Sequence, residues 1–217
     1  MRPRGGKFLI VLTAAFVALA AVLILVRERG QRNSAESAAD LPVYNTLGDF
    51  SLTERSGRLI SRGELEGRVW IANFIFTRCG GPCPKMTAQM KKIETATAGT
   101  GVQLVSFSVD PDFDTPERLR FYAERFGADS SRWWFLTGDK AVIYGLSRQQ
   151  FMLGVDEDPS GASQEAHQGI MHSTRFTLMD SESRIRGYYE STDSESVKNL
   201  IRDALALVPK PSSRQES

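Results

Sequence analysis

VWIANFIFTRCGGPCP, residues 69–84, joins a short apolar run to a pair of cysteines and two prolines. Val69 to Phe76 is almost continuously apolar, which predicts a central strand covered on both faces, because a strand with one wet face would alternate. Gly80, Gly81 and Pro82 then interrupt the extended pattern. Beyond them Met86, Met90 and Ile93 return at three- and four-residue intervals, the period of a helix that ends by Gly99. Cys79 and Cys83 therefore fall where a buried strand stops and a helix starts. Unpaired N–H groups and the helix dipole favour negative charge there, so lowered thiol pKa values are expected. Two residues four apart at a helix start share a face, within reach of a disulfide or of one shared metal ion. The chain has only 2 cysteines, which excludes a disulfide scaffold and a Cys₄ zinc module.

On either side of this stretch, strands alternate with helices. Asp49 to Ile60 predicts a hairpin around Glu54-Arg55-Ser56-Gly57, and Val102 to Val109 predicts the next strand. Thr115-Pro116-Glu117-Arg118 has the order of a helix start, cap then proline, with Leu119, Tyr122 and Phe126 facing inward and a stop at Gly127. Phe135-Leu136 reads as a short strand, and Gly138-Asp139 as the cap of another helix. Thr174 to Met179 and Ile185 to Tyr189 flank a Ser-Glu-Ser-Arg turn, and a helix follows from Ser194 to Leu207. The order β-α-β-α-β-β-α predicts an α/β, thioredoxin-like fold with N-terminal and internal insertions.

The chain has 217 residues with Lys+Arg 27 against Asp+Glu 26. From Leu41 onward 21 basic residues meet 23 acidic ones, which offers no basic stripe and argues against nucleic-acid binding. Phe8 to Val26 is an uncharged apolar run of 19 residues, just long enough at ~1.5 Å per residue to span a bilayer core of ~30 Å. It is longer than the apolar region of a signal peptide and ends in Arg-Glu-Arg, so an uncleaved single transmembrane helix is expected. No cysteine lies in or just after the run, which argues against a lipid anchor. The resulting plan is a membrane anchor at residues 1–30, a polar tether at 31–40 (QRNSAESAAD), a folded domain at 41–208 and a disordered tail at 209–217. Arg2, Arg4 and Lys7 before the span nearly balance Arg27, Arg29 and Arg32 after it, and the free amino terminus and short leading segment favour the folded domain on the non-cytoplasmic, periplasmic side of the inner membrane.

Ser160 to Val208 contains no proline, so the cis-proline that thioredoxins set against their cysteines is missing. Met171-His172-Ser173-Thr174 stands in its place. Two thiolates and one imidazole make a soft site of low coordination that suits a copper ion, with Cys79, Cys83 and His172 as ligands. A structural zinc would want a fourth ligand, and His167 reads better as a solvated loop residue. As a redox pair the same cysteines would form a disulfide and serve a thiol–disulfide oxidoreductase. A peroxiredoxin would carry a threonine three residues before its reactive cysteine, whereas Thr77 is two before Cys79. Asp110, at the end of the Val102 to Val109 strand, reads either as a turn-former before Pro111 or as an acceptor that tunes the copper site from behind the ligands. Met86 and Met90 read as core, and Trp133 and Trp134 as core or partner-facing cover.

Asn73 to Pro84, Ser108-Val109-Asp110-Pro111 with Asp114-Thr115-Pro116, Trp134 to Gly138 and His172-Ser173-Thr174 together resemble, in order, the successive blocks of the SCO/SenC proteins. The resemblance covers about Leu41 to Leu207. It implies a membrane-tethered, thioredoxin-like chaperone that binds copper through the two cysteines and the histidine. The implied role is to help assemble the binuclear copper site of cytochrome c oxidase, with that enzyme's copper-bearing subunit or another copper-handling protein as partner. Gly80-Gly81 departs from the proline and acidic residue of many relatives, which bears on redox tuning and leaves the ligands intact. The alternative is an oxidoreductase that keeps partner cysteines reduced.

Overall fold

The computed structural model describes residues 20–22, 41–153, 156–157, 170–171 and 173–209. The chain divides into two compact units, Met1–Asp40 and Leu41–Ser217. Residues 20–22 of the first are helical. The remainder of the expected Phe8 to Val26 span, the tether and residues 210–217 lie outside the described residues. Among the described residues no helix is long and apolar enough to cross a membrane.

The second unit is built on a seven-stranded sheet. Its strands in chain order are β1 (Ser51–Glu54), β2 (Leu59–Ser61), β3 (Trp70–Ile75), β4 (Gln103–Ser108), β5 (Trp133–Thr137), β8 (Arg175–Met179) and β9 (Ile185–Glu190). Two further strands, β6 (Asp156–Glu157) and β7 (Ile170–Met171), form a separate antiparallel pair. The large sheet runs β2-β1-β5-β4-β3-β8-β9, with β3, β4 and β5 parallel and the remaining pairs antiparallel. All six residues of β3 are buried, as a strand flanked by β4 and β8 should be.

The helices are α1 (Pro82–Ala96), α2 (Pro116–Arg125), α3 (Lys140–Gly145) and α4 (Ser194–Leu207). Three have side-chain caps. Thr115 accepts from the Arg118 N–H at 3.3 Å, Asp139 from the Val142 N–H at 3.0 Å, and Asp193 from the Glu195 N–H at 2.9 Å. The unit β3-α1-β4-α2, closed by the β8–β9 hairpin and α4, is the thioredoxin-like core. The β1–β2 hairpin and the β5-α3 segment are the insertions.

In two places the local structure exceeds what the pattern predicts. β5 covers five residues rather than two, because β4 and β1 pair with it from both sides. After α3 the chain widens into a π-helical turn, Leu146–Gln150, in which the Phe151 N–H donates to the Leu146 carbonyl at 2.8 Å. That turn delivers Phe151 to a cluster of rings, 5.2 Å from Phe74, 5.6 Å from Phe107 and 6.1 Å from Trp70. Met86 and Met90 are core, and Trp133 is fully buried with its Nε1–H donating to Ser106 Oγ at 2.9 Å.

The turn between β8 and β9 is closed by a buried charge cluster. Asp180 accepts from the backbone N–H groups of Glu182 and Arg184 at 3.0 Å, from Arg184 Nε at 2.8 Å and from Arg186 Nη1 at 3.1 Å. Arg186 also donates to the carbonyls of Leu41 and Pro42, fastening the start of the domain to β9. Burial works to raise the Asp180 pKa, but these donors outweigh it and hold the carboxyl below its usual range. A lowered folded-state pKa contributes stability that is present above the unfolded value of ~3.9 and is lost as pH falls through the folded value. Asp180→Ala is therefore expected to lose ~2–4 kcal/mol in urea unfolding at pH 7 and to show a flatter loss of stability below about pH 4. A variant as stable as the parent at pH 7 would contradict the assignment.

Candidate metal centre

β3 and β4 are parallel and end together, at Ile75 and Ser108. β8 runs antiparallel to β3, with Thr177 opposite Ala72, so the chain that precedes Arg175 reaches the sheet at this same end. The loop leaving β3 carries Cys79, which is half-buried and whose N–H donates to the Phe76 carbonyl at 3.3 Å. Cys83 lies in the first turn of α1 and is 0% exposed. Gly81 caps the helix without a side-chain hydrogen bond, so the first-turn N–H groups have no side-chain acceptor from the cap. A Cβ added at Gly81 would come 4.0 Å from Cys79 Sγ, so the glycine leaves that flank of the sulfur open.

Both cysteines are thiols, and their side chains hydrogen-bond to each other. That bond, followed by burial, pushes the Cys83 thiol far above its ordinary value. The charges of Cys79 and Asp114 act in the same direction, and a hydrogen bond from the Phe76 backbone opposes them. The expectation of lowered values for both thiols is corrected for Cys83: its depth and its sulfur neighbour outweigh the helix start. The pair therefore has one sulfur near the surface and one beneath it that holds its proton tightly.

Asp110 makes the turn expected before Pro111. Its carbonyl accepts from the N–H groups of Phe113 and Asp114, making the turn, and its buried carboxylate pairs with Arg78 Nε at 2.5 Å. Arg78 immediately precedes Cys79 and lies 4.7 Å from the Phe113 ring centroid. Asp110 thus anchors the cysteine loop through Arg78.

Asp114, read from the sequence only within the block Asp114-Thr115-Pro116, is buried at the base of the cysteine loop. It is 0% exposed and accepts from the Thr77 N–H at 3.0 Å, from the Ser108 hydroxyl at 2.5 Å and from the Thr77 hydroxyl. Burial raises its pKa against those three donors. It ties the end of β3 to the end of β4 directly below the cysteine loop. Thr87 donates to the Cys83 carbonyl at 2.9 Å and shares a hydrogen bond with the Tyr122 hydroxyl at 2.8 Å, which joins α1 to α2 behind the buried sulfur. His172 and His167 lie outside the described residues. Among the described residues no group of three or more His, Cys, Asp or Glu is placed to hold a metal ion. Two adjacent sulfurs are the donor type that soft metal ions prefer.

A thiol pair of this kind, at the strand-to-helix junction of a thioredoxin-like sheet, defines a protein of thiol redox or soft-metal chemistry. Residues 39–206 match the model of the SCO1/SenC family. The chain belongs to that family. It is 28% identical over 165 residues to the SCO1 protein homolog of Bacillus subtilis, covering 75% of this chain and 82% of the relative. A SCO1/SenC family lipoprotein from Bacillus anthracis superposes with a TM-score of 0.70 at 34% identity, over 78% of this chain and 99% of that one. BsSco, a member of the Sco family of cytochrome c oxidase assembly proteins in which a disulfide switch was identified, gives 0.66 at 26% identity, over 77% and 98%. More distant members have been solved with copper bound.

Proposed function

We propose that this chain is a membrane-anchored copper metallochaperone that takes a copper ion as cargo on Cys79, Cys83 and His172. It passes the ion by ligand exchange toward the binuclear copper site of cytochrome c oxidase. The observation that carries this reading is the contact between a half-buried and a fully buried thiol, at the sheet end where the chain preceding Arg175 also arrives. Cys79, the outer sulfur, is the one an incoming ligand of the partner meets first. Cys83 retains the ion from below, and Asp110 keeps the Arg78–Cys79 loop in place. The anchor at residues 1–30 holds the domain on the periplasmic side, where thiols are not kept reduced by the cytosol.

A second reading, thiol–disulfide exchange, is favoured by the same stacking of the two sulfurs. The Cys79 thiolate attacks a partner disulfide and releases one partner thiolate. Cys83, once deprotonated, attacks the Cys79 sulfur of the mixed disulfide and releases the second. This chain ends oxidised by two electrons and the partner reduced by two.

Anaerobic copper titration of the reduced and the oxidised protein, with thiol counting, tests the shared site. The reduced form is expected to bind one copper, and the Cys79–Cys83 disulfide form none, because metal binding requires both sulfurs deprotonated and unbridged. Equal binding by both forms overturns the model. For orientation, alkaline phosphatase fused after Gln31 is expected to be active, and a well-expressed inactive fusion contradicts the periplasmic placement.

A further inference from the structure

The cysteines lie where β3 ends; a cavity of about 540 Å³ lies on the flank of the domain toward the end of the sheet where β5 begins. Its walls are the β1–β2 turn, α2, the connection from α2 to β5 and the first residues of β5. Three arginines line it, Arg55, Arg58 and Arg120, with Ser56, Ser130 and the two acids Glu54 and Glu124.

Arg55 is only 7% exposed, yet its polar contacts are long: Glu54 Oε1 at 3.5 Å and the Ala128 carbonyl at 3.5 Å. Its remaining contact is the Phe135 ring, 5.2 Å from the guanidinium carbon to the centroid. Burial lowers its pKa, against the pull of nearby carboxylates led by Glu54 and including Glu124, Glu94 and Asp129. Glu94 and Asp129 are committed elsewhere, while Glu54 is a buried acid of the cavity wall shared between Arg55 and the Ser56 backbone. Glu54 Oε2 accepts from the Ser56 N–H at 2.7 Å, Glu94 pairs with Lys91 at 2.5 Å, and Asp129 accepts from the Ser131 N–H at 2.8 Å. Glu124 remains as an exposed acid on the wall. Arg58 and Arg120 are exposed, and among the described residues neither guanidinium makes an ion pair or hydrogen bond. Arg58 instead lies 5.2 Å from the centroid of Trp134.

A buried cation held at the limit of hydrogen-bond distance, beside two more whose donor forks are unused, is unsaturated on the donor side. Guanidinium forks match tetrahedral oxyanions two hydrogen bonds at a time, and hydroxyls add single donors. We infer that this cavity is a second binding site of the protein, for a small soluble ligand bearing a phosphate-class oxyanion, held by Arg55, Arg58 and Arg120 at the far end of the sheet from the cysteines. The inference does not depend on what the cysteines bind.

The test is calorimetric titration of the full chain in mild detergent with sodium pyrophosphate, inorganic phosphate and citrate at one ionic strength. Pyrophosphate is expected to bind saturably, more tightly than inorganic phosphate or citrate, with affinity reduced about tenfold in each of Arg58→Ala and Arg120→Ala. Both side chains are on the surface, so the unliganded melting temperature and the copper stoichiometry are expected to stay at the parent values. Glu124→Gln removes the exposed one of the two opposing charges on the wall, the other being the buried Glu54, and is expected to tighten binding severalfold. Absence of saturable binding, or a Kd unchanged in both arginine variants, overturns the site. Tighter binding of citrate than of pyrophosphate overturns the phosphate class.

Discussion

Cys83→Ala is expected to abolish stoichiometric copper binding while the domain stays folded. Cys83 contributes the buried sulfur of the pair, and no other side chain among the described residues is placed to take over. Loss of a group that merely supports a metal ligand costs ~10–100-fold in affinity, so loss of the ligand itself is expected to cost more than ~100-fold. Alanine is the better replacement, because a serine hydroxyl in this fully buried place would cost ~1–3 kcal/mol without a partner. Cys79→Ala should lose copper equally, with a smaller change in melting temperature, since that side chain is only half-buried. Competition against a Cu(I) chelator, read with the melting temperature, separates ligand loss from unfolding. Parent-like copper affinity in a folded Cys83→Ala protein would remove the cysteine pair from the site. The parent's affinity should also rise with pH. The Cys83 thiol, held up by its hydrogen bond to Cys79 and by burial, has to give up its proton to the metal.

What the sequence disclosed about this site follows from how local each signal is. The run from Val69 to Phe76 could be assigned to a buried central strand because continuous apolar character survives only where both faces are covered, and β3 has no exposed residue. The caps at Thr115 and Asp139 were equally readable, because a cap is made by residues two or three apart. The pKa of Cys83 was not. A helix start visible in sequence lowers a thiol pKa, but the depth of the residue and the approach of the second sulfur are tertiary quantities, and here they prevail. Asp114 escaped for a related reason. An acidic residue just before a capping threonine looks like a solvated turn, and its donors, Thr77 and Ser108, come from two different strands. The π-turn at Leu146–Gln150 has no sequence period of its own, and it ends at Phe151, whose ring partners come from distant strands.

His172→Ala is expected to separate the two functions proposed for the cysteine pair. Imidazole is the ligand that suits divalent copper, whereas two thiolates alone still hold Cu(I), so the variant should lose Cu(II) binding by a large factor and Cu(I) binding by a smaller one. The Cys79–Cys83 bond needs only its two sulfurs and should form as in the parent, which thiol counting after oxidation measures. Paired Cu(I) and Cu(II) titrations, with the absorption of the Cu(II)–thiolate complex, supply the metal side. In cells that depend on this chain for cytochrome c oxidase, metal delivery as the main role makes assembly fail in the variant and recover with added copper. Thiol exchange as the main role leaves assembly intact, because both sulfurs keep their chemistry. Failure of assembly with both copper affinities unchanged would overturn the assignment of His172 as a ligand and place it among the residues that set thiol reactivity or meet the partner.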